Sequence, residues 1–348
     1  MENWVVPEHS NKAVQRASKV IGKGTGDPED LRNARSILSN YRLAHAYPLN
    51  AVTMTVRKRA LEVNPDAVVA QRRKRLPTII DKLKRHPTMS LTTMQDLGGC
   101  RVILSSIDEV DNLVEILKDL PRSKNRVKKI TDYLRNTPGP QRSGYRGVHL
   151  VYEYAASKIE YHGLRIELQV RTQIQHAWAT AVETMDLFSG SELKYGKGDP
   201  DLLRFFVLVA SLMAHEEHTA PVPGAEGDPA ELRSELVKLE DRIGVLARLQ
   251  GYAAIVGEHS STDRRNALTL ELMRREGRLT VTVHETLAEA EERLTALESL
   301  DDPNLDAVLI NISRISQLRD AYPNYFADTG RFTEFVRAQL NTSQRHRP

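Results

Sequence analysis

The 348-residue chain has one cysteine, Cys100, which excludes an intramolecular disulfide framework and a cysteine zinc site and fits a reducing cytoplasm. It has no run of about eighteen uncharged apolar residues, so a transmembrane helix is not expected. The opening MENWVVPEHSNK lacks a basic stretch followed by an apolar one, so no secretory signal is expected and a cytoplasmic location is. Internal repeats and long low-complexity tracts are also missing. Net charge is small, 49 − 46 = +3, and says little about partners. What is present is ordinary for a soluble globular protein with a sizeable core: 40% apolar and 27% charged residues. The length is about twice that of a typical domain, which predicts two domains.

The charge is unevenly spread. Residues 57–86 hold ten Lys/Arg against three acids, and residues 122–146 hold eight against Asp132 alone. Residues 226–302 reverse the sign, with seventeen acids against ten basic residues. Solvated helix faces explain any one run, but two basic blocks in one half and an acidic block in the other favour a polyanion-binding half. The Pro/Gly/Ala-rich segment Thr219–Pro229 predicts a linker. It separates residues 1–218 from a small α+β unit at 230–348.

Pattern and punctuation predict helices over about 27–46, 49–63 and 66–86, the first opened by Asp27-Pro28. Strands are predicted at Cys100–Leu104, 126–134, Val148–Tyr154 and Leu164–Arg171. Helices are predicted over Ile174–Leu187, Asp201–Glu216 and Glu231–Val256. A hairpin is predicted across Leu268–Leu272 and Leu279–His284, then a helix at Leu287–Leu300 and a strand at Ala307–Ile312.

Four segments place phosphate-binding residues beside element ends. They are Arg72-Arg73-Lys74 with Thr78 and Lys82; Asp96 ahead of Arg101; Ser143–His149; and Glu167-Leu168-Gln169-Val170-Arg171. In the last, period-two alternation puts Glu167, Gln169 and Arg171 on one face. Two carboxylates, Asp96 and Glu167, supply oxygen ligands for Mg²⁺, and one of them can take a proton from a hydroxyl. The cations neutralise phosphate charge, and Tyr145 offers a face for stacking a base. Each segment alone also has a structural reading: Asp96 as a helix cap, Glu167–Arg171 as a surface strand, Tyr145 as a packed loop aromatic.

Together, RRKRLPTIIDK, MQDLGGCRVIL, ITDYLRNTPGPQRSGYRGVHL and IELQVRTQIQHAWATAVE, in this order, resemble the RelA/SpoT alarmone-synthetase family over roughly residues 35–215. The resemblance implies a mixed α/β fold, with a twisted sheet flanked by helices and a small C-terminal α+β domain. It also implies transfer of pyrophosphate from ATP to a ribose 3′-hydroxyl with release of AMP. Carried over residue by residue, Arg72, Lys74, Thr78, Lys82 and Arg101 bind ATP. Asp96 holds Mg²⁺, and Glu167 activates the hydroxyl while helping with the metal. Tyr145, Arg146, His149, Gln169 and Arg171 form the acceptor site. Glu183 is a weaker candidate, since a helix-surface role serves it equally. No His…His-Asp…Asp metal site precedes this region, so the family's hydrolase activity is not expected.

The acceptor loop departs from the family's Asn-Pro-Lys-Pro-Asn-Gly-Tyr: Asn136 to Tyr145 is longer and lacks that lysine, with Arg142 available in its place. The acceptor is therefore left open among GDP or GTP, ADP or ATP, and the 3′ end of tRNA. The segment Asn40–Leu49 is similar to one in toxic small synthetases of toxin–antitoxin and phage-defence systems; for Tyr41 and Tyr47 themselves, core packing is the expected role. Residues 230–340 carry no catalytic constellation. The acidic unit is expected either to add only a hydrophobic cluster around Tyr322, Tyr325, Phe326 and Phe332 or to cover the synthetase site as a built-in inhibitor, with a protein trigger or antitoxin as further partner. Membrane and DNA are not expected as partners. Rival readings are a housekeeping (p)ppGpp synthetase and an RNA-binding or regulatory module that has lost its chemistry.

Overall fold

Local signals set the element ends in the computed structural model, which describes residues 4–120, 124–135, 139–189, 192–255, 267–273, 278–300, 302, 304–311 and 328–345. The chain runs α1 (Asn11–Lys23), α2 (Pro28–Ala44), α3 (Ala46–Val63), β1 (Val68–Arg73), α4 (Leu76–Arg85), β2 (Gly98–Leu104), α5 (Ile107–Lys118), β3 (Arg126–Asp132), β4 (Val148–Glu153) and β5 (Arg165–Thr172). It continues through α6 (Gln173–Ser189), α7 (Pro200–Glu216), α8 (Pro229–Ile243), α9 (Val245–Ile255), β6 (Ala267–Met273), β7 (Arg278–His284), α10 (Leu287–Ser299), β8 (Leu305–Asn311) and α11 (Gly330–Arg345). No helix among the described residues is long and apolar enough to cross a membrane. Asp27 caps α2 by accepting from the backbone of Glu29 and Asp30, with Pro28 in the first turn, as predicted. Tyr41 and Tyr47 pack as expected. Tyr41 is buried, and Tyr47 stacks on Tyr161 with ring centroids 4.9 Å apart.

Two element predictions need correction. The helix predicted over 66–86 is a strand, β1, followed by a short helix, α4. The β-branched start of VVAQRR pairs with β2, and Pro77 fits only near a helix start, so the helix begins after Arg73. The helix predicted over 231–256 is two, α8 and α9, divided at Gly244, which adopts φ +58° at the end of α8.

The strands form one sheet in the order β3-β4-β5-β2-β1-β8-β6-β7. β2 and β5 are parallel and the remaining neighbours antiparallel, a mixed sheet flanked by helices as the resemblance implies. On the back face, Val69, Cys100, Val102, Leu104, Ile166, Leu168, Val170 and Leu150 pack with Leu49 and Val52 of α3 and Leu113 and Leu117 of α5. A second core joins α6 and α7 to α8, α9 and α11 through residues such as Trp178, Phe206, Leu236, Leu249, Phe332 and Val336.

The segment 219–229 is therefore not a free tether. Val222 and Ala225 are buried, Ala220 donates its N–H to the carbonyl of Leu134 at 3.0 Å, and Val222 donates to Ser211 Oγ at 2.9 Å. Residues after it extend the same sheet through β8, β6 and β7. α10 packs on Ala307 and Leu309, which lie on the back face alongside Gln71 of β1. Of the C-terminal unit expected to cover the site, α10 lies on the back face of the sheet, while α8, α9 and α11 pack on α6 and α7. Of the predicted aromatic cluster, Tyr322, Tyr325 and Phe326 fall outside the described residues, and Phe332 packs on Phe206.

Candidate active site

Strand register builds the front face. Arg72 of β1 lies opposite Gly99 of β2, which lies beside Glu167 of β5. One step along, Ala70, Arg101, Gln169 and His149 line up across β1, β2, β5 and β4. Directly paired residues share a face, so Arg72, Arg101, Glu167, Gln169 and His149 project together. On β5 the alternation is plain: Ile166, Leu168 and Val170 are fully buried in the back core, while Glu167 and Gln169 are half-buried on the front.

The lysines expected to bind ATP meet Asp96 where the two segments are tied by backbone: Lys74 donates its N–H to the carbonyl of Leu97 at 2.8 Å. Lys74 Nζ lies 2.6 Å from Asp96 Oδ2, and Lys82 Nζ, one turn beyond Thr78 on α4, lies 3.5 Å from Oδ1. Burial alone would raise the Asp96 carboxyl, but the two lysines outweigh it and hold the group at about 2. For Lys74 burial wins, and its ammonium lies below the ordinary lysine value despite Asp96. Thr78 is half-buried in the third position of α4.

Most of the residues expected at the acceptor site form one hydrogen-bonded chain. Arg171 donates to Gln169 Oε1 at 2.5 Å and to the Tyr145 hydroxyl at 2.7 Å, and that hydroxyl lies 2.6 Å from His149 Nε2. Gln169 Nε2 donates to Glu167 Oε1 at 2.7 Å, and His149 Nδ1 stands 3.7 Å from Glu167 Oε2. Burial works to raise the Glu167 carboxyl, but hydrogen bonding and charge from His149, with Gln169, bring it below the ordinary range; Asp96 pushes the other way. Burial raises the Tyr145 phenol, and the Arg171 guanidinium lies over its ring, 4.9 Å from the centroid. Gly144 makes this loop possible: it adopts φ +95°, and a Cβ there would come within 2.8 Å of the Trp178 ring.

One predicted residue is placed elsewhere. Arg146 is 3% exposed and directed away from the acceptor group, donating to the carbonyl of Ala220 at 2.7 Å and to Thr219 Oγ1. It fastens the loop to the segment after α7, and burial lowers its guanidinium to about 10. Three residues join the site that the sequence left aside or ranked low. Glu183, on α6, stands 3.6 Å from Lys194; burial opposes its ionisation, but Lys194, Arg101, Arg72 and Arg171 hold it well below the carboxylate range. Tyr133 packs edge-on against Tyr145 and His149, with centroids 5.7 and 5.2 Å away, and its place in the Asp-Tyr-Leu run was the available signal. Arg42, 2% exposed, donates Nε to the Lys74 carbonyl at 2.8 Å, and nothing in its local sequence announces that reach.

Asp96 and Glu167 are hard oxygen donors kept anionic by their surroundings, which suits Mg²⁺. Among the described residues no three His, Cys, Asp or Glu side chains gather as a metal cage. A metal shared with substrate phosphates and water is the arrangement two carboxylates allow.

The site thus gathers cationic side chains, two carboxylates and a tyrosine-centred hydrogen-bond chain, groups whose chemistry suits a phosphate-bearing ligand in a mixed α/β protein. Residues 71–187 match the family model described as a region found in RelA / SpoT proteins. The chain is 26% identical over 206 residues to an uncharacterized protein of Mycobacterium tuberculosis, covering 59% of this chain and 69% of that one. It is 29% identical over 167 residues to the GTP pyrophosphokinase YwaC of Bacillus subtilis, covering 44% and 76%. The crystal structure of small alarmone synthetase 2 from Bacillus subtilis superposes with a TM-score of 0.43 at 23% identity, over 52% of this chain and 94% of that one.

Proposed function

We propose that the protein transfers the β,γ-pyrophosphate of ATP to a ribose 3′-hydroxyl. The observation that supports this reading is the pairing of Lys74 and Lys82 with Asp96, whose charge acts on Glu167, itself hydrogen-bonded through Gln169 and Arg171 to Tyr145. The acceptor O3′ bonds to the β-phosphorus of ATP, the bond from that phosphorus to the α–β bridging oxygen breaks, and AMP leaves. Glu167 accepts the hydroxyl proton. Arg72, Lys74, Lys82 and Arg101 hold the triphosphate and offset charge that moves toward the leaving oxygen. Asp96 and Glu167 would hold Mg²⁺, which supplies further neutralisation of the phosphates.

The acceptor presents a base to Tyr145 and Arg171. The relatives named GTP pyrophosphokinases support a purine nucleotide; the lengthened loop and the basic blocks keep the tRNA 3′ end as the rival. A growth-inhibiting synthetase controlled by its own C-terminal residues is the physiological form of this reading. Its support is the contact of α10 and β8 with β1, which makes that control an action on donor geometry from behind the sheet.

Purified protein incubated with γ-labelled ATP and GDP/GTP, ADP/ATP or bulk tRNA should transfer label to one acceptor class, and Glu167→Gln should abolish the transfer. Expression should arrest growth with the parent and not with that variant. Absence of transfer to every acceptor would refute the enzyme.

A further inference from the structure

Three acids of the C-terminal unit, Glu298, Glu291 and Asp306, make ion pairs on or beside the predicted donor segment. Glu298 of α10 binds Arg42 with both carboxylate oxygens, Oε2 to Nη1 at 3.0 Å and Oε1 to Nη2 at 3.2 Å. The same Oε1 accepts the N–H of Leu76, the first residue of α4, at 3.2 Å. α4 has no side-chain cap of its own, because its N-cap residue is Arg75. Glu298 thus caps, from over two hundred residues away, the helix that carries Thr78 and Lys82. Arg42, held by Glu298, in turn donates Nε to the carbonyl of Lys74. Two further pairs flank that lysine: Arg73 with Glu291 at 2.8 Å, and Arg75 with Asp306. Arg42 and Glu298 are 2% and 7% exposed, so their geometry is fixed by packing as well as by charge.

We infer that Glu298 is a positioning residue for ATP: through Arg42 it fixes the backbone of Lys74, and through Leu76 it fixes the start of α4, so the donor cations are set by the C-terminal unit. This rests on the proposed donor role of Lys74 and Lys82. Glu298 and Arg42 act from behind the strand and do not touch substrate. Arg73 alternates with Arg72 on β1, so Glu291 holds this strand from the back face, on the side opposite Arg72.

The test compares full-length parent, Glu298→Gln, and the double variant Arg42→Met/Glu298→Met, which removes both buried charges together and so avoids stranding one of them. Both variants should bind a non-hydrolysable ATP analogue about tenfold more weakly, with the KM for ATP raised by the same factor. The KM for the acceptor should stay within about twofold, and so should both constants in Glu292→Gln, a control on an exposed position of the same helix. A role confined to stability would lower the melting temperature and the active fraction without separating the two substrates. A folded variant that binds the analogue as tightly as the parent overturns the inference. A parent that binds the analogue but transfers to no acceptor refutes the proposed function alone, while the binding comparison still decides the role of Glu298. A parent that does not bind the analogue overturns both.

Discussion

Asp96→Asn tests the donor end of the site in two ways at once. In the parent the carboxylate is held at about 2 against an ordinary value of 3.8, with Lys74 at 2.6 Å and Lys82 at 3.5 Å as the cause that outweighs burial. That lowering, at about 1.4 kcal/mol for each tenfold change in the ionisation constant, is about 2.5 kcal/mol of stability. The Asp96 side chain is 27% exposed, so this is an upper figure. The sign follows from a carboxyl lowered on folding: the contribution is complete above about pH 4 and disappears as pH falls through about 2. Asparagine keeps the shape and loses the charge, leaving Lys74 and Lys82 facing each other. At pH 7 the variant should lose about 2 kcal/mol and melt a few degrees lower, and the gap to the parent should close between pH 4 and 2. Urea unfolding across that range, followed by fluorescence, measures it. Transfer should fall by about a thousandfold or more, since the same carboxylate is the expected Mg²⁺ ligand. Coincident melting at pH 7, or a gap that persists unchanged to pH 2, would refute the electrostatic account.

Glu167→Gln should stop transfer while leaving the melting temperature within a few degrees of the parent; retained activity would remove its role as base. Arg146→Ala should cost about 2 kcal/mol by stranding the Thr219 and Ala220 acceptors. Its acceptor KM should be unchanged, so a raised KM with normal stability would return it to the acceptor site. The Cys100 thiol is buried and pushed up to about 11, so alkylation of native protein should be far slower than in denaturant. Equal rates would show that the back core opens freely.

How much of this was legible in the sequence depended on the range of the signal. The alternation of Glu167, Gln169 and Arg171, the Asp27 cap and the hairpin at 267–284 are local patterns and could be read directly. β1 was missed because its polar half, Gln71-Arg72-Arg73, looks like a helix face when its partners are out of view. Arg146 was misplaced because a resemblance transfers a residue type and not the direction of its side chain. Arg42 and Glu298 could not be found at all: a pair separated by 256 positions leaves no mark on either neighbourhood. Thr219–Pro229 has a linker's composition, yet its apolar members Val222 and Ala225 find a core to enter.

The junction of β1 with β8 has a consequence for solution behaviour. In the five strands from β3 to β1, β1 is the rim, and β8 is what finishes it. Any event that lifts β8 away bares peptide groups ready to accept a strand from another molecule. Molecules so opened would tend to join rim to rim, so self-association at rising concentration would itself report that the seal had been broken.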